Sequence, residues 1–216
     1  MSGAIYQSTT FVADALGRGE VLYSRYTNNP NHRRLEAKIA ALEGAEACLV
    51  TGSGMGAMSA AALACVQAGD HVLAANDLYG GTRLFLKREL CRLGIEATFV
   101  EFRQPDWRDH LRPNTRVVLI ELPTNPLMRV PDPRPIVEAA HAAGAIVIAD
   151  VTFATPINFR GLEYGIDLVF HSATKYLGGH SDVTAGAVCG RAELVDGARV
   201  RATMFGTALD PHATWL

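Results

Sequence analysis

The chain has 216 residues, 49% of them hydrophobic and 19% charged, with a formal net charge of -2. That is enough apolar material for one sizeable globular core, and the near-neutral balance supplies no basic field for nucleic acid. No long uninterrupted apolar span and no signal-like N-terminus is present, which argues against a membrane or secreted protein and for a cytoplasmic one.

In chain order, residues 1–33 ("MSGAIYQSTT…YSRYTNNPNH") hold turn formers and aromatics without a period, an irregular arm of the kind often interfacial or functional. "RRLEAKIAALEG" then predicts a helix leading into a series of short apolar runs. "EACLVTG" reads as a strand, "GMGAMSAAALACVQAG" as a small-residue helix, "DHVLAAN" as a strand, "GGTRLFLKRELCRLG" as a helix and "IEATFVEF" as a strand. "TRVVLIEL" is a strand, "DPRPIVEAAHAAG" a helix with prolines at its start, and "AIVIAD", "IDLVFHS" and "TAGAVCG" are strands. "ALDPHATWL" opens a further helical pattern at the end. Apolar runs that do not alternate suit strands covered by helices on both faces, so the pattern predicts an α/β fold with an open, mostly parallel sheet.

The four cysteines, Cys48, Cys65, Cys91 and Cys189, are far apart in sequence with no C-x-x-C pair, which suggests reduced, mostly buried thiols. Among seven histidines there is no HExxH and no Cys/His ligand group. His171 and His180 flank Lys175 without a third ligand, so no metal site is expected.

Three segments could carry chemistry. "TGSGMGA", Thr51 to Ala57, joins a strand to a helix, where free amides and the helix dipole favour a phosphate. It also fits a dinucleotide fingerprint, with Asp77 at the end of the next strand, or simply a tight turn of small residues. Asp150 ends a strongly apolar strand, the place where open α/β sheets bind ligands, though a turn aspartate would look the same. Lys175 in "HSATKYLGGH" follows a buried strand. It reads either as a solvated loop lysine or as a reactive amine, with the Ser172 and Thr174 hydroxyls beside it and two glycines removing bulk. An amine forms a Schiff base with an aldehyde, while hydroxyls grip a phosphate. Together, a phosphate-cradling helix start, an aspartate for a pyridine nitrogen and a Schiff-base lysine describe a pyridoxal 5'-phosphate (PLP) site. A nicotinamide site would use the glycines and Asp77 but leave Ser172, Thr174 and Lys175 without a task.

"IYQSTTF", "YSRYTNNPN", "SGMGA", "LYGGT", "LPTNPLMRVPD", "DVTFATP" and "HSATKYLGGHSDVTAG" occur in that order. In order and spacing they resemble the PLP-dependent enzymes of cysteine and methionine metabolism, the group of cystathionine γ-synthase, cystathionine γ-lyase and methionine γ-lyase, essentially end to end. The resemblance implies the large cofactor-binding domain of a fold-type I PLP-dependent transferase. It implies Lys175 as the catalytic lysine that also binds the cofactor, Asp150 at the pyridine nitrogen, and Gly54 and Met55 offering amides to the phosphate beside Ser172 and Thr174. Tyr79 would stack on the ring and take part in catalysis, Asn125 would approach the phenolic oxygen, and Thr152 would pack on the other ring face. Tyr23 and Arg25 would reach the phosphate of a neighbouring subunit, making a homodimer with shared sites that assembles further to a tetramer.

The implied organisation is an arm at 1–33 that contacts a neighbour, a PLP-binding domain at 34–205, and the start of a connection at 206–216 to a C-terminal domain. The chain would thus be cut short at both ends, without the arginine that holds the substrate carboxylate. The implied activity is β/γ-elimination or γ-replacement on cystathionine or an O-acyl-homoserine, closest to cystathionine γ-synthase and γ-lyase. A PLP-binding relative without turnover, or a nicotinamide-dependent oxidoreductase, are the other readings. Departures from the family pattern are Val151 within Asp150-Val151-Thr152, Asn31 within Asn29-Pro30-Asn31, and Gly81 where methionine γ-lyases typically carry cysteine.

Overall fold

A computed structural model describes residues 3–13 and 19–216. Asn29 starts the first long helix: its side-chain oxygen accepts the Asn31 amide at 2.8 Å, and Pro30 sits in the first turn, where no amide hydrogen is needed. Helix α1 (Pro30–Glu43) therefore begins slightly ahead of the apolar pattern, inside the stretch expected to be irregular. Asn31, the departure noted above, bonds the Pro211 carbonyl at 3.0 Å, so its amide ties the helix start to the end of the chain.

Strand and helix then alternate: β1 (Ala47–Thr51), α2 (Gly54–Cys65), β2 (His71–Ala75) and α3 (Gly80–Leu84), which continues as a π-helical segment over Phe85–Leu90. They are followed by β3 (Glu96–Val100), β4 (Thr115–Glu121), α4 (Arg134–Ala142), β5 (Ile146–Asp150), the short α5 (Thr155–Asn158), β6 (Leu168–His171) and β7 (Gly186–Gly190). Helices α6 (Ala192–Phe205) and α7 (Pro211–Trp215) close the chain. The seven strands form one sheet in the order β1-β7-β6-β5-β4-β2-β3. Strand β7 runs antiparallel to both β1 and β6, and the pairings among β2 to β6 are parallel. The mostly parallel sheet expected from the apolar runs is the one observed. Every residue of β2, β6 and β7 is buried, as strands covered on both faces must be.

Two features were not visible in the apolar pattern. Helix α6 contains an Asp-Gly pair, a turn signal, yet Gly197 sits mid-helix, where a Cβ would meet the Ala64 Cβ on α2 at an ordinary 3.4 Å. Glycine there costs the helix about 1 kcal/mol relative to alanine. The cysteines also divide differently from the expectation of mostly buried thiols: Cys48 and Cys189 are buried, Cys65 is half-buried and Cys91 is exposed. Cys48 and Cys189, distant in sequence, are directly opposed across β1 and β7. Among the described residues no helix is long and apolar enough to cross a membrane, and no cluster could hold a metal ion.

Arg199 on α6 locks three parts of this frame. Its guanidinium donates to both carboxylate oxygens of Glu36 on α1 at 3.0 Å, to the Cys48 carbonyl of β1 at 2.9 Å and to Thr27 Oγ1 at 2.6 Å. Glu36 is buried, so removing its cation strands a carboxylate. Arg199→Met is expected to lower unfolding free energy by about 3 kcal/mol, read as a shift of the urea midpoint.

Candidate active site

At the carboxyl ends of β4, β5 and β6 lies a cavity of about 400 Å³. Gly54, Met55, Tyr79, Asn125, Asp150, Thr152, Ser172, Thr174 and Lys175 all line it. These come from five separate segments of the chain, brought together by the crossovers of the sheet.

The phosphate end is built at the start of α2. Ser53 caps the helix, its hydroxyl accepting the Gly56 amide at 3.0 Å, and its carbonyl accepts the Ala57 amide at 3.0 Å. The amides of Gly54 and Met55 have no acceptor among the described residues and stand at the positive end of the helix. A Cβ on Gly54 would lie 2.7 Å from the Ser172 Cβ, and one on Gly186 only 2.2 Å from the Ser53 carbonyl oxygen. Two glycines thus let the turn press against the lysine loop and set Ser172 beside the free amides. The Thr174 hydroxyl lies within bonding distance of the Ala185 carbonyl (3.1 Å) and amide (3.0 Å), so its hydrogen must rotate before it can serve a phosphate.

Asp150, the last residue of β5, is 7% exposed. Its Oδ1 accepts the Thr152 amide at 2.9 Å and the Thr152 hydroxyl at 2.5 Å, while Oδ2 has no hydrogen-bond partner among the described residues. Burial pushes its carboxyl up, and the two Thr152 hydrogen bonds pull it back. The Thr152 hydroxyl also accepts the Ser172 amide at 2.8 Å. Lys175 follows on a tight turn, its amide bonded to the Ser172 carbonyl at 3.0 Å and its carbonyl to the Gly179 amide at 2.8 Å. Its ammonium has no ion pair or hydrogen bond among the described residues. The flanking histidines serve elsewhere. His171 Nε2 is 2.6 Å from Glu43 Oε1, both side chains fully buried, and His180 Nδ1 is 2.9 Å from the Gly178 carbonyl.

Tyr79, half exposed, stands at the start of α3. Asn125 rides on a loop after β4 that is closed by the Thr124 amide on the Arg129 carbonyl (2.9 Å) and the Arg129 amide on Thr124 Oγ1 (3.0 Å). The Arg129 guanidinium then bonds Asp77 at 3.1 Å and Glu101 at 2.8 Å. Asp77, the acid a dinucleotide fingerprint would need, is thereby engaged and does not line the cavity.

Tyr23 and Arg25 are not among the cavity's residues. Arg25 is exposed, donates to the Thr203 carbonyl at 3.3 Å, and lies over the rings of Tyr23 and Tyr26. Among lining residues not expected from the sequence is a buried acid, Glu121, which ends β4 directly opposite Asp150 of β5. Burial and the neighbouring Asp150 charge push its carboxyl up to about 8.

The family model for Cys/Met metabolism PLP-dependent enzymes matches residues 1–216. The chain belongs to that family. It is 44% identical over 202 residues to an L-methionine gamma-lyase of Porphyromonas gingivalis, covering 88% of this chain and 50% of the relative. A cystathionine gamma-lyase of Bacillus subtilis is 39% identical over 218 residues, covering 100% and 57%. The crystal structure of cystathionine gamma synthase from Xanthomonas oryzae pv. oryzae, in complex with aminoacrylate and cysteine, superposes with a TM-score of 0.94 at 34% identity, covering 99% of this chain and 56% of that one. The chain spans about half the length of these relatives. The architecture is that of fold-type I PLP enzymes, and the family's cofactor is pyridoxal 5'-phosphate.

The cavity fits that group. Free amides and the Ser172 hydroxyl suit a phosphate, the unpartnered Asp150 oxygen suits a protonated ring nitrogen, and an unpaired lysine amine suits an aldehyde.

Glu121 makes the cofactor-free protein pH-sensitive. Its carboxyl titrates near 4.5 when unfolded and at about 8 when folded, so the proton it holds stabilises the fold fully below pH 4.5, and that contribution is lost as pH rises through about 8. Melting curves should therefore favour Glu121→Gln increasingly over the wild type as pH is raised from about 5 to about 8.

Proposed function

We propose that this chain forms the PLP-binding part of a transsulfuration-type enzyme. It would act on cystathionine or an O-acyl-homoserine by β/γ-elimination or γ-replacement, nearest in type to cystathionine γ-synthase and γ-lyase. The observation that carries the reading is the convergence on one cavity of the Lys175 amine, the open oxygen of Asp150 and the acceptor-free amides of Gly54 and Met55. When bound, the cofactor supplies an aldehyde for an amine and an electron-withdrawing ring that accepts the electron pair left at Cα. The protein's part is positional and protonic. Asp150 keeps a proton on the ring nitrogen, and Thr152 orients Asp150 through its two hydrogen bonds. Gly54, Met55, Ser172 and Thr174 grip the phosphate. Tyr79 covers one ring face, Thr152 the other, and Asn125 meets the phenolic oxygen. The Lys175 amine would move protons between the substrate Cα and the leaving-group side.

Residues 34–205 act in this reading as the cofactor domain and 1–33 as an arm that reaches a second subunit of a cytoplasmic homo-oligomer. Support comes from Arg25, which is exposed and outside its own protomer's cavity. No arginine lines the cavity among the described residues, so the substrate carboxylate meets a group from elsewhere. Gly81 favours cystathionine chemistry over a methionine-specialised lyase. A Cβ there would lie 2.5 Å from the Tyr79 ring, so the tyrosine occupies space that a side chain would claim.

The purified protein is expected to be yellow. Borohydride should bleach it and fix the label on Lys175, and Lys175→Ala should take no label; a colourless protein that binds NAD would favour the oxidoreductase reading instead. Arg25→Ala should weaken cofactor retention about tenfold or more, the loss of a charge-assisted hydrogen bond. Equilibrium dialysis showing wild-type affinity would remove Arg25 from the site. Consumption of cystathionine or O-acyl-homoserine separates an enzyme from a PLP-binding relative without turnover.

A further inference from the structure

We propose that Glu121 is a positioning residue of the cofactor site, the carboxyl that ties the Tyr79 turn to the end of β4 and so holds the tyrosine ring at the cavity. The proposal rests on the PLP reading above, and it concerns an acid which that reading leaves without a task.

Two carboxyls on adjacent strand ends, 5% and 7% exposed, oppose each other electrostatically, and a site needing one anion for a ring nitrogen is served by Asp150 alone. What Glu121 does instead is visible in its contacts. Its Oε2 accepts the backbone amide of Tyr79 at 2.7 Å, a bond that spans 42 residues. No other acceptor for that amide is present among the described residues. Tyr79 is followed by Gly80 and Gly81, the two residues least able to stiffen a turn, and no side chain caps the helix that begins there. The tyrosine ring lies against Gly81, its hydroxyl has no hydrogen-bond partner among the described residues, and half of the residue is exposed. Buried Leu78 and Thr82 and the Arg83 amide on the Tyr79 carbonyl keep the turn on the protein, while the Glu121 bond alone fixes the Tyr79 amide on the side that carries the ring.

The two acids are clamped separately. Asp150 spends Oδ1 on Thr152, and Glu121 spends Oε2 on Tyr79. The Asp150 oxygen that faces the cavity is thereby left for the ring nitrogen, while Glu121 acts through the tyrosine.

The 216-residue chain should be compared as wild type, E121Q and E121L. Three quantities are read: amide exchange of Tyr79 in the cofactor-free protein, affinity for PLP, and circular dichroism of the bound chromophore. In E121L, Tyr79 exchange is expected to rise about tenfold, affinity to fall by a similar factor and the dichroic band to weaken. E121Q keeps an acceptor oxygen at the same reach and should stay near wild type in all three. E121L with wild-type exchange and dichroism overturns the proposal, and so does E121Q that behaves like E121L. If leucine unfolds the sheet, seen as faster exchange along β5 as well, E121D decides: it keeps the carboxyl but withdraws it, and must release the Tyr79 amide. A wild-type chain that takes up no PLP sinks the cofactor reading and this proposal together, whereas binding with an indifferent Glu121 sinks the proposal alone.

Discussion

Between the ends of β5 and β6 a single hydroxyl, Thr152 Oγ1, accepts the Ser172 amide and donates to Asp150 Oδ1. Through it Asp150 and the loop that carries Lys175 share one frame. Had the Asp150 carboxyl been held by a long surface side chain, its orientation would vary with solvent and salt. Held by a residue two positions along its own chain, it is set by the backbone. The donor that faces it also fixes which oxygen is left for the cavity. Val151, the departure from the family pattern, is fully buried and leaves both Thr152 bonds to Asp150 in place.

The second constraint is steric. The phosphate turn and the lysine loop belong to segments more than a hundred residues apart, and they meet only because Gly54 and Gly186 lack side chains. Free amides at a helix start are common, since every helix has them. What gives these a function is the Ser172 hydroxyl brought up beside them. The same closeness explains why the sheet admits an antiparallel strand at β7: the chain leaves β6, forms the Lys175 loop and re-enters at the same end, under the Ser53 turn.

Much of this could be read from the residues. Unalternating apolar runs announced a sheet covered on both faces, and the polar residues ending those runs, Asp150 above all, marked the ligand side. The ordered motifs placed Lys175, Tyr79 and Asn125, and all three do line the cavity. What stayed hidden depended on contacts between distant segments. Glu121 reads as the polar end of an apolar strand, and only the β4–β5 register sets it beside Asp150. Helix α6 is masked by an Asp-Gly pair that would otherwise signal a turn. Asp77 matched a nucleotide fingerprint until Arg129, 52 residues on, was found to hold it.

The Lys175 loop has a neck. Thr174 and Ala185 are joined by three hydrogen bonds, backbone and side chain, at 3.0 to 3.1 Å, so the ten or so residues between them leave and return at nearly one point. A loop closed this way transmits little of its own length to the strands beneath it, and its closure entropy grows only slowly with added residues. The tip is itself folded back on this base: the Gly178 amide bonds the Ala173 carbonyl at 2.7 Å and the Gly179 amide the Lys175 carbonyl at 2.8 Å. The neck thus brings Lys175, just inside one end of the loop, and Thr184, just inside the other, to the same cavity.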